Sequence, residues 1–165
     1  AVFEKNEEDK NLAYIYRAIS ASASMPFVSK MVEIDGKHYL DGGCNTKVPF
    51  QWALDRGYKK IVVVRTRPRE YRKKNGILSR FAPQLFYKKY PQFAEHLSDI
   101  NAKYNRDCDK MSELEAEGRI FVIAPSRPVT VGRLETDMEK LGALYQMGLE
   151  DARALSKDLK AYLER

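Results

Sequence analysis

The sequence has 165 residues, 44% of them hydrophobic and 32% charged, with a net charge of +6. Those values fit one domain of ordinary size and exclude a disordered chain. Two cysteines, Cys44 and Cys108, form no CxxC pair and no zinc-like spacing, which excludes a disulfide framework.

The cysteine usage fits a reducing, cytoplasmic setting. Residues 1–9 are acidic and poor in hydrophobics, unlike a secretory signal. No apolar run approaches the roughly 20 residues that span a bilayer. The charge is unevenly spread: from Arg56 to Lys89 there are 12 basic residues and one acidic residue, Glu70. Such a segment suits an anionic surface, either lipid headgroups or a nucleic acid.

A first helix is predicted from about Glu7 to Ser22. Leu12, Ile15, Tyr16 and Ile19 recur on one helical face, and Asn6 is its candidate cap. Pro26 ends helical geometry before it. A hairpin follows, with Val32 to Ile34 and Lys37 to Leu40 flanking Asp35-Gly36, a pair suited to a type I′ turn. Asp41-Gly42-Gly43 makes a second turn. Pro49 is predicted at the first position of a short helix through Asp55, with Gly57 beyond its end.

Ile61 to Val64 is continuous and β-branched, which predicts a strand covered on both faces within a parallel sheet. Pro68 ends it, and Tyr71 to Arg80 reads as a basic loop. A long helix over 92–117 carries the stripe Phe93, Leu97, Ile100, Tyr104, Cys108 and Met111, with Gly118 as its stop. Ile120 to Ile123 is a second buried strand, and Pro125 to Val131 is irregular. Thr136 to Glu139 has the capping-box pattern, and a helical stretch with a break near Gly142 or Gly148 runs toward Leu163. This order indicates α/β layering.

Asp41 ends a hairpin strand, and two glycines follow at once. An Asp-Gly-Gly tripeptide is most often only a turn. Small residues also let other backbone approach a carboxylate, and a carboxylate without a like-charged neighbour can accept a proton from a hydroxyl.

Three stretches carry a resemblance. Ala21 to Phe27 is a run of small residues ending in Pro26. The hairpin continues as Val32-Glu33-Ile34-Asp35-Gly36-Lys37-His38-Tyr39-Leu40-Asp41-Gly42-Gly43, and Val48-Pro49 comes soon after. Together they resemble the patatin-like phospholipase pattern. The remainder resembles a bacterial branch of that family, on Thr66-Arg67-Pro68 with Tyr71 to Lys74 and on Ala124 to Pro128 with Val131 to Glu135.

The resemblance implies part of a three-layer α/β/α fold, with a β-hairpin and a helical C-terminal region. It implies residues 1–135 as the C-terminal part of a catalytic domain and 136–165 as a helical extension, with 92–117 as a helical insertion. Asp41 would be the dyad aspartate, with Gly42 and Gly43 supporting its turn. It would activate a serine in a Gly-x-Ser-x-Gly elbow to cleave phospholipid or a related acyl ester. No cofactor or metal is implied. No Gly-x-Ser-x-Gly and no Gly-Gly-Gly occurs in these 165 residues, so the chain alone is expected to be inactive. Thr46 stands where related proteins often carry a carboxylate or amide, and Cys44 where they commonly have an aliphatic residue.

Other constellations give competing expectations. His38, Asp41 and Cys44 could form a Cys-His-Asp site, but His38 and Asp41 point to opposite faces of a continuing strand. His96 reads as a helix-surface residue, and Asp107-Cys108-Asp109 faces different ways on a helix, so no metal site is assigned. The cluster Arg65, Arg67, Arg69, Arg72, Lys73 and Lys74 is either a solvated loop or a contact for anionic headgroups at a peripheral membrane surface, made by Arg69, Arg72, Lys73 and Lys74. A membrane- or partner-docking module without catalysis is the alternative function. The segment lacks RNP, helix-turn-helix and zinc signatures, so no nucleic-acid partner is expected. Uncovered sheet edges and apolar helix faces predict self-association.

Overall fold

A computed structural model describes residues 12–74, 76–132 and 134–165. Its elements are α1 (Leu12–Ala23), β1 (Val32–Ile34), β2 (Lys37–Tyr39), a short 3-10 helix (Gly42–Cys44), α2 (Phe50–Asp55), β3 (Val62–Val64), α3 (Ile77–Phe86), α4 (Pro91–Ala116), β4 (Phe121–Ile123), α5 (Met138–Ala154) and α6 (Ser156–Glu164). The architecture is mixed α/β, mostly helical, with two small sheets. Two compact units divide the chain. One is Ala1–Lys47 with Lys74–Lys103; the other is Val48–Lys73 with Tyr104–Arg165.

In the first unit β1 and β2 pair antiparallel, Ile34 opposite Lys37. Asp35 and Gly36 both have positive φ, 51° and 72°, the requirement of the type I′ turn that their sequence predicts. The described part of α1 begins at Leu12, so the predicted Asn6 cap lies outside the described residues. Of its expected apolar face, Leu12, Tyr16 and Ile19 are exposed and Ile15 is half-buried. Leu97 and Ile100 of α4 are buried with Cys44, and Leu40, Tyr87 and Phe93 pack around them.

The second unit is built on a parallel pair. Val62, Val63 and Val64 of β3 lie beside Phe121, Val122 and Ile123 of β4. Backbone bonds extend the pair at both ends, from Phe121 N–H to Ile61 O (2.9 Å) and from Arg65 N–H to Ile123 O (2.8 Å). Ile61 and Val63 pack against Tyr104, Cys108, Met111 and Leu114, the far half of the α4 stripe, with Phe50, Ile120 and Val122. Each such side chain contributes about 1.5–3 kcal/mol by leaving water.

Five expectations need correction. The β3 strand is covered on one face only: Val63 is buried, but Val62 is 39% and Val64 70% exposed. The basic loop predicted for Tyr71–Arg80 gives way at Ile77 to α3, which tolerates Pro83 in its interior. Pro49 precedes α2 as its cap rather than filling its first turn. Asp137, not Thr136, caps α5, its carboxylate accepting from the N–H groups of Glu139 and Lys140. The break in the last helical stretch falls at Leu155 between α5 and α6, not at either glycine. Gly142 and Gly148 both lie inside α5, a tolerable cost of about 1 kcal/mol each in a helix that also packs.

Tyr162 of α6 fastens that helix to the sheet. Its hydroxyl accepts from Ile61 N–H at 2.9 Å and donates to Arg119 O at 3.0 Å. Lys60 Nζ donates to Tyr162 O at 2.7 Å and lies 5.0 Å from its ring. Removing the hydroxyl leaves a buried N–H without a partner. Tyr162→Phe is expected to destabilise this unit by about 1–3 kcal/mol in chemical denaturation. A stability equal to wild type would show that the hydroxyl does not hold α6.

Candidate functional site

The local structure around Asp41 is built from three short pieces of the first unit. The small-residue run at the end of α1 comes first. Ala21 and Ser24 are buried, and Ser24 Oγ donates to Ser20 O at 2.8 Å. Ser24 O accepts the Asp41 N–H, also at 2.8 Å. The run is small because the backbone of residue 41 lies directly against it.

The turn after Asp41 is the second piece. Asp41 caps the short 3-10 helix, its Oδ1 accepting from Gly43 N–H at 2.8 Å. Its backbone oxygen accepts from Cys44 N–H at 2.9 Å. A Cβ on Gly43 would come within 3.3 Å of that same Oδ1, so a glycine there leaves the carboxylate its room. Gly42 has no such neighbour, and nothing in the structure explains its identity.

The third piece is the anchor beneath the turn. Cys44 is buried with Leu97 and Ile100. Lys103 Nζ donates to Asn45 O at 3.0 Å and to Thr46 Oγ1 at 3.3 Å, and Lys47 Nζ donates to Gly43 O at 3.1 Å. Neither Lys47 nor Lys103 stands out in the sequence; no spacing or motif marks a lysine that ties down a turn by donating to its carbonyls.

Asp41 itself is half-buried. Among the described residues it forms no ion pair, and Oδ1 alone is hydrogen-bonded. His38 is exposed and lies 6.4 Å, ring to ring, from Tyr90. No hydrogen bond joins it to Asp41 or Cys44 among the described residues, so the structure assembles no Cys-His-Asp site. His96 is exposed on α4. Among the described residues no group of His, Cys, Asp and Glu is arranged to hold a metal ion, and no helix is long and apolar enough to cross a membrane.

The basic cluster divides by partner. Arg65 is buried, its guanidinium reaching Arg69 O at 3.3 Å, Tyr104 Oη at 3.4 Å and Cys108 Sγ at 3.3 Å. It is therefore not part of a solvated loop. The signal was in the alternation: Ile61, Val63 and Arg65 occupy the same side of an extended chain. Arg67 donates to Val129 O at 3.1 Å. Arg69 pairs with Glu115 and donates to Val122 O at 2.6 Å. Arg72 pairs with Asp109 at 2.7 Å. Lys73 Nζ lies 5.1 Å from the Tyr104 ring, and Lys74 is exposed.

The second unit holds a cavity of about 350 Å³ at the C-terminal ends of β3 and β4, walled by Leu144, Met147 and Gly148 of α5. Its one carboxylate, Asp151, accepts from Ser126 N–H at 3.0 Å. The hydrogen bonding from Ser126 holds that carboxyl below its usual range.

Burial pushes the Cys44 thiol above its ordinary value of 9.0, the Asp41 carboxylate pushes it further, and the Lys47 ammonium opposes. Because folding raises this pKa, the contribution to stability is intact below pH 9.0 and is lost as pH rises through the raised value. Native Cys44 is expected to react with iodoacetamide only at a pH midpoint above that of the unfolded chain. Asp41→Asn should move the midpoint down, as followed by peptide mass spectrometry that separates Cys44 from Cys108. An unmoved midpoint would place the carboxylate away from the thiol.

Asp41 and its turn fall within a match to a known family. Residues 1–54 match the model of the patatin-like phospholipase family, a hydrolase family that acts on lipid. Residues 90–164 match a separate model, a domain of unknown function (DUF6363). No curated protein matches the chain. The chain thus matches the patatin-like phospholipase model over residues 1–54, which include Asp41-Gly42-Gly43, and the DUF6363 model over residues 90–164.

Proposed function

We propose that Asp41 is the base of a Ser–Asp dyad in a lipid acyl-ester hydrolase, with the serine carried on polypeptide outside these 165 residues. One observation carries the reading. The carboxylate is oriented by its Oδ1 bond to Gly43 N–H, while Oδ2 has no partner among the described residues. A base needs one fixed oxygen for geometry and one open oxygen for the proton.

The chemistry then runs in two steps. The serine Oγ attacks the ester carbonyl carbon as its proton passes to Asp41. The ester C–O bond breaks, the alcohol leaves with that proton, and an acyl-enzyme remains. Water attacks the acyl carbon, gives its proton to Asp41, and the carboxylic acid departs as the serine is reprotonated. A glycine-rich loop on the same outside polypeptide would supply N–H groups to the oxyanion.

The exposed Leu12, Tyr16 and Ile19 of α1 support the same arrangement. They form an apolar face in the unit that contains Asp41, of the kind a neighbouring segment covers. A second copy of this chain could cover it in the same way, which is the basis for expecting self-association.

Two assays test the proposal. The 165-residue chain alone is expected to hydrolyse p-nitrophenyl butyrate no faster than buffer. A longer chain that places a Gly-x-Ser-x-Gly segment before this one should be active, and Asp41→Asn in it should lower kcat by about 100-fold or more. Activity surviving that substitution within a few-fold would remove Asp41 from the chemistry.

A further inference from the structure

Helix α3 has no counterpart in the elements predicted from sequence, and one of its faces is unaccounted for. Ile77, Phe81 and Leu85 follow one another at every fourth residue, which sets them in a single ridge. They are 82%, 64% and 65% exposed. The helix itself is held. Pro83 is fully buried, and Ser98 of α4 donates its hydroxyl to Arg80 O at 3.0 Å. Just beyond its end, Tyr87 Oη accepts from Phe27 N–H at 2.9 Å, and the Phe27 ring meets Phe86 at 5.4 Å.

The charges around this ridge have one sign. From Tyr71 to Ala94 the sequence holds six basic residues and no acidic one. Lys74, Arg80, Lys88 and Lys89 are all exposed. Among the described residues none of the four forms an ion pair, whereas Arg69 and Arg72 are already paired with Glu115 and Asp109.

We infer that α3 is an interfacial helix that lays Ile77, Phe81 and Leu85 into an anionic lipid bilayer, with Lys74, Arg80, Lys88 and Lys89 on its phosphate-bearing headgroups. A bilayer of that composition offers both an apolar phase and a layer of negative charge, and a short helix lying in the interface plane meets the two at once. An apolar protein groove would satisfy the ridge but give no use to four unpaired cations beside it. Tyr90, at the end of the same basic stretch, is 40% exposed and has the ring-and-hydroxyl chemistry of an interface residue. This inference goes beyond the proposed dyad and does not depend on it.

Flotation of the 165-residue chain with vesicles tests it directly. Binding is expected to vesicles of phosphatidylcholine mixed with phosphatidylglycerol, to weaken with salt, and to be absent with phosphatidylcholine alone. Phe81→Asp with Leu85→Asp should weaken binding by more than about tenfold with the far-UV circular dichroism unchanged, because both side chains are exposed. As a gain of signal, Phe81→Trp in a Trp52→Phe background should shift its emission to the blue and be quenched by brominated lipid. The inference is overturned if the chain ignores anionic vesicles, if it binds neutral ones equally, if the double substitution binds as wild type, or if the tryptophan of Phe81→Trp stays unquenched on bound protein. A dimer that Phe81→Asp dissociates, in the absence of vesicle binding, would equally overturn it by assigning the ridge to a second copy.

Discussion

The hydrogen bond from Gly43 N–H to Asp41 Oδ1 is the constraint on which the candidate site depends. It uses one carboxylate oxygen to cap a turn and leaves the other open. The geometry is enforced from two sides: Ser24 O takes the Asp41 N–H, and burial of Cys44 with Leu97 and Ile100 holds down the far end of the turn. A carboxylate fixed this way loses little further freedom when a hydroxyl arrives, which is the condition for efficient proton transfer.

The same sequence uses its positive charge in two different ways. In the second unit arginines serve the fold: Arg65 is buried against Tyr104 and Cys108, Arg69 reaches Glu115 and Val122 O, and Arg72 reaches Asp109. The Arg69–Glu115 and Arg72–Asp109 pairs are largely open to solvent, so each adds little net stability. In the first unit the lysines beside α3 and Arg80 stay exposed. A count of basic residues along the chain merges these populations. Only their partners separate charges that hold the protein together from charges available to something else.

The match of residues 1–54 to the patatin-like phospholipase family covers the hairpin and turn that carry Asp41. The match of residues 90–164 covers α4, β4, α5 and α6. Helix α3 lies between the two matched regions. Neither matched range includes its apolar ridge.

Local chemistry determined much of what is seen. Asp35-Gly36 required a type I′ turn because both positions need positive φ. The α4 stripe from Phe93 to Met111 gave a long helix with its buried face, ended by Gly118 with φ 68°. The β-branched run at 61–64 gave a parallel strand. The Asp-Gly-Gly segment could be recognised because a capping carboxylate followed by small residues is a short-range pattern. Tertiary structure decided the rest. Whether β3 is covered on one face or two depends on which segments pack there, and a four-residue pattern is the same in both cases. Arg65 is buried because its strand turns that side inward, which outweighs the usual preference of arginine for water. Helix α3 carries Pro83 in its interior with the ring fully buried, and Ser98 of α4 adds a bond to Arg80 O; both depend on a distant segment, and neither contact is written in residues 77–86.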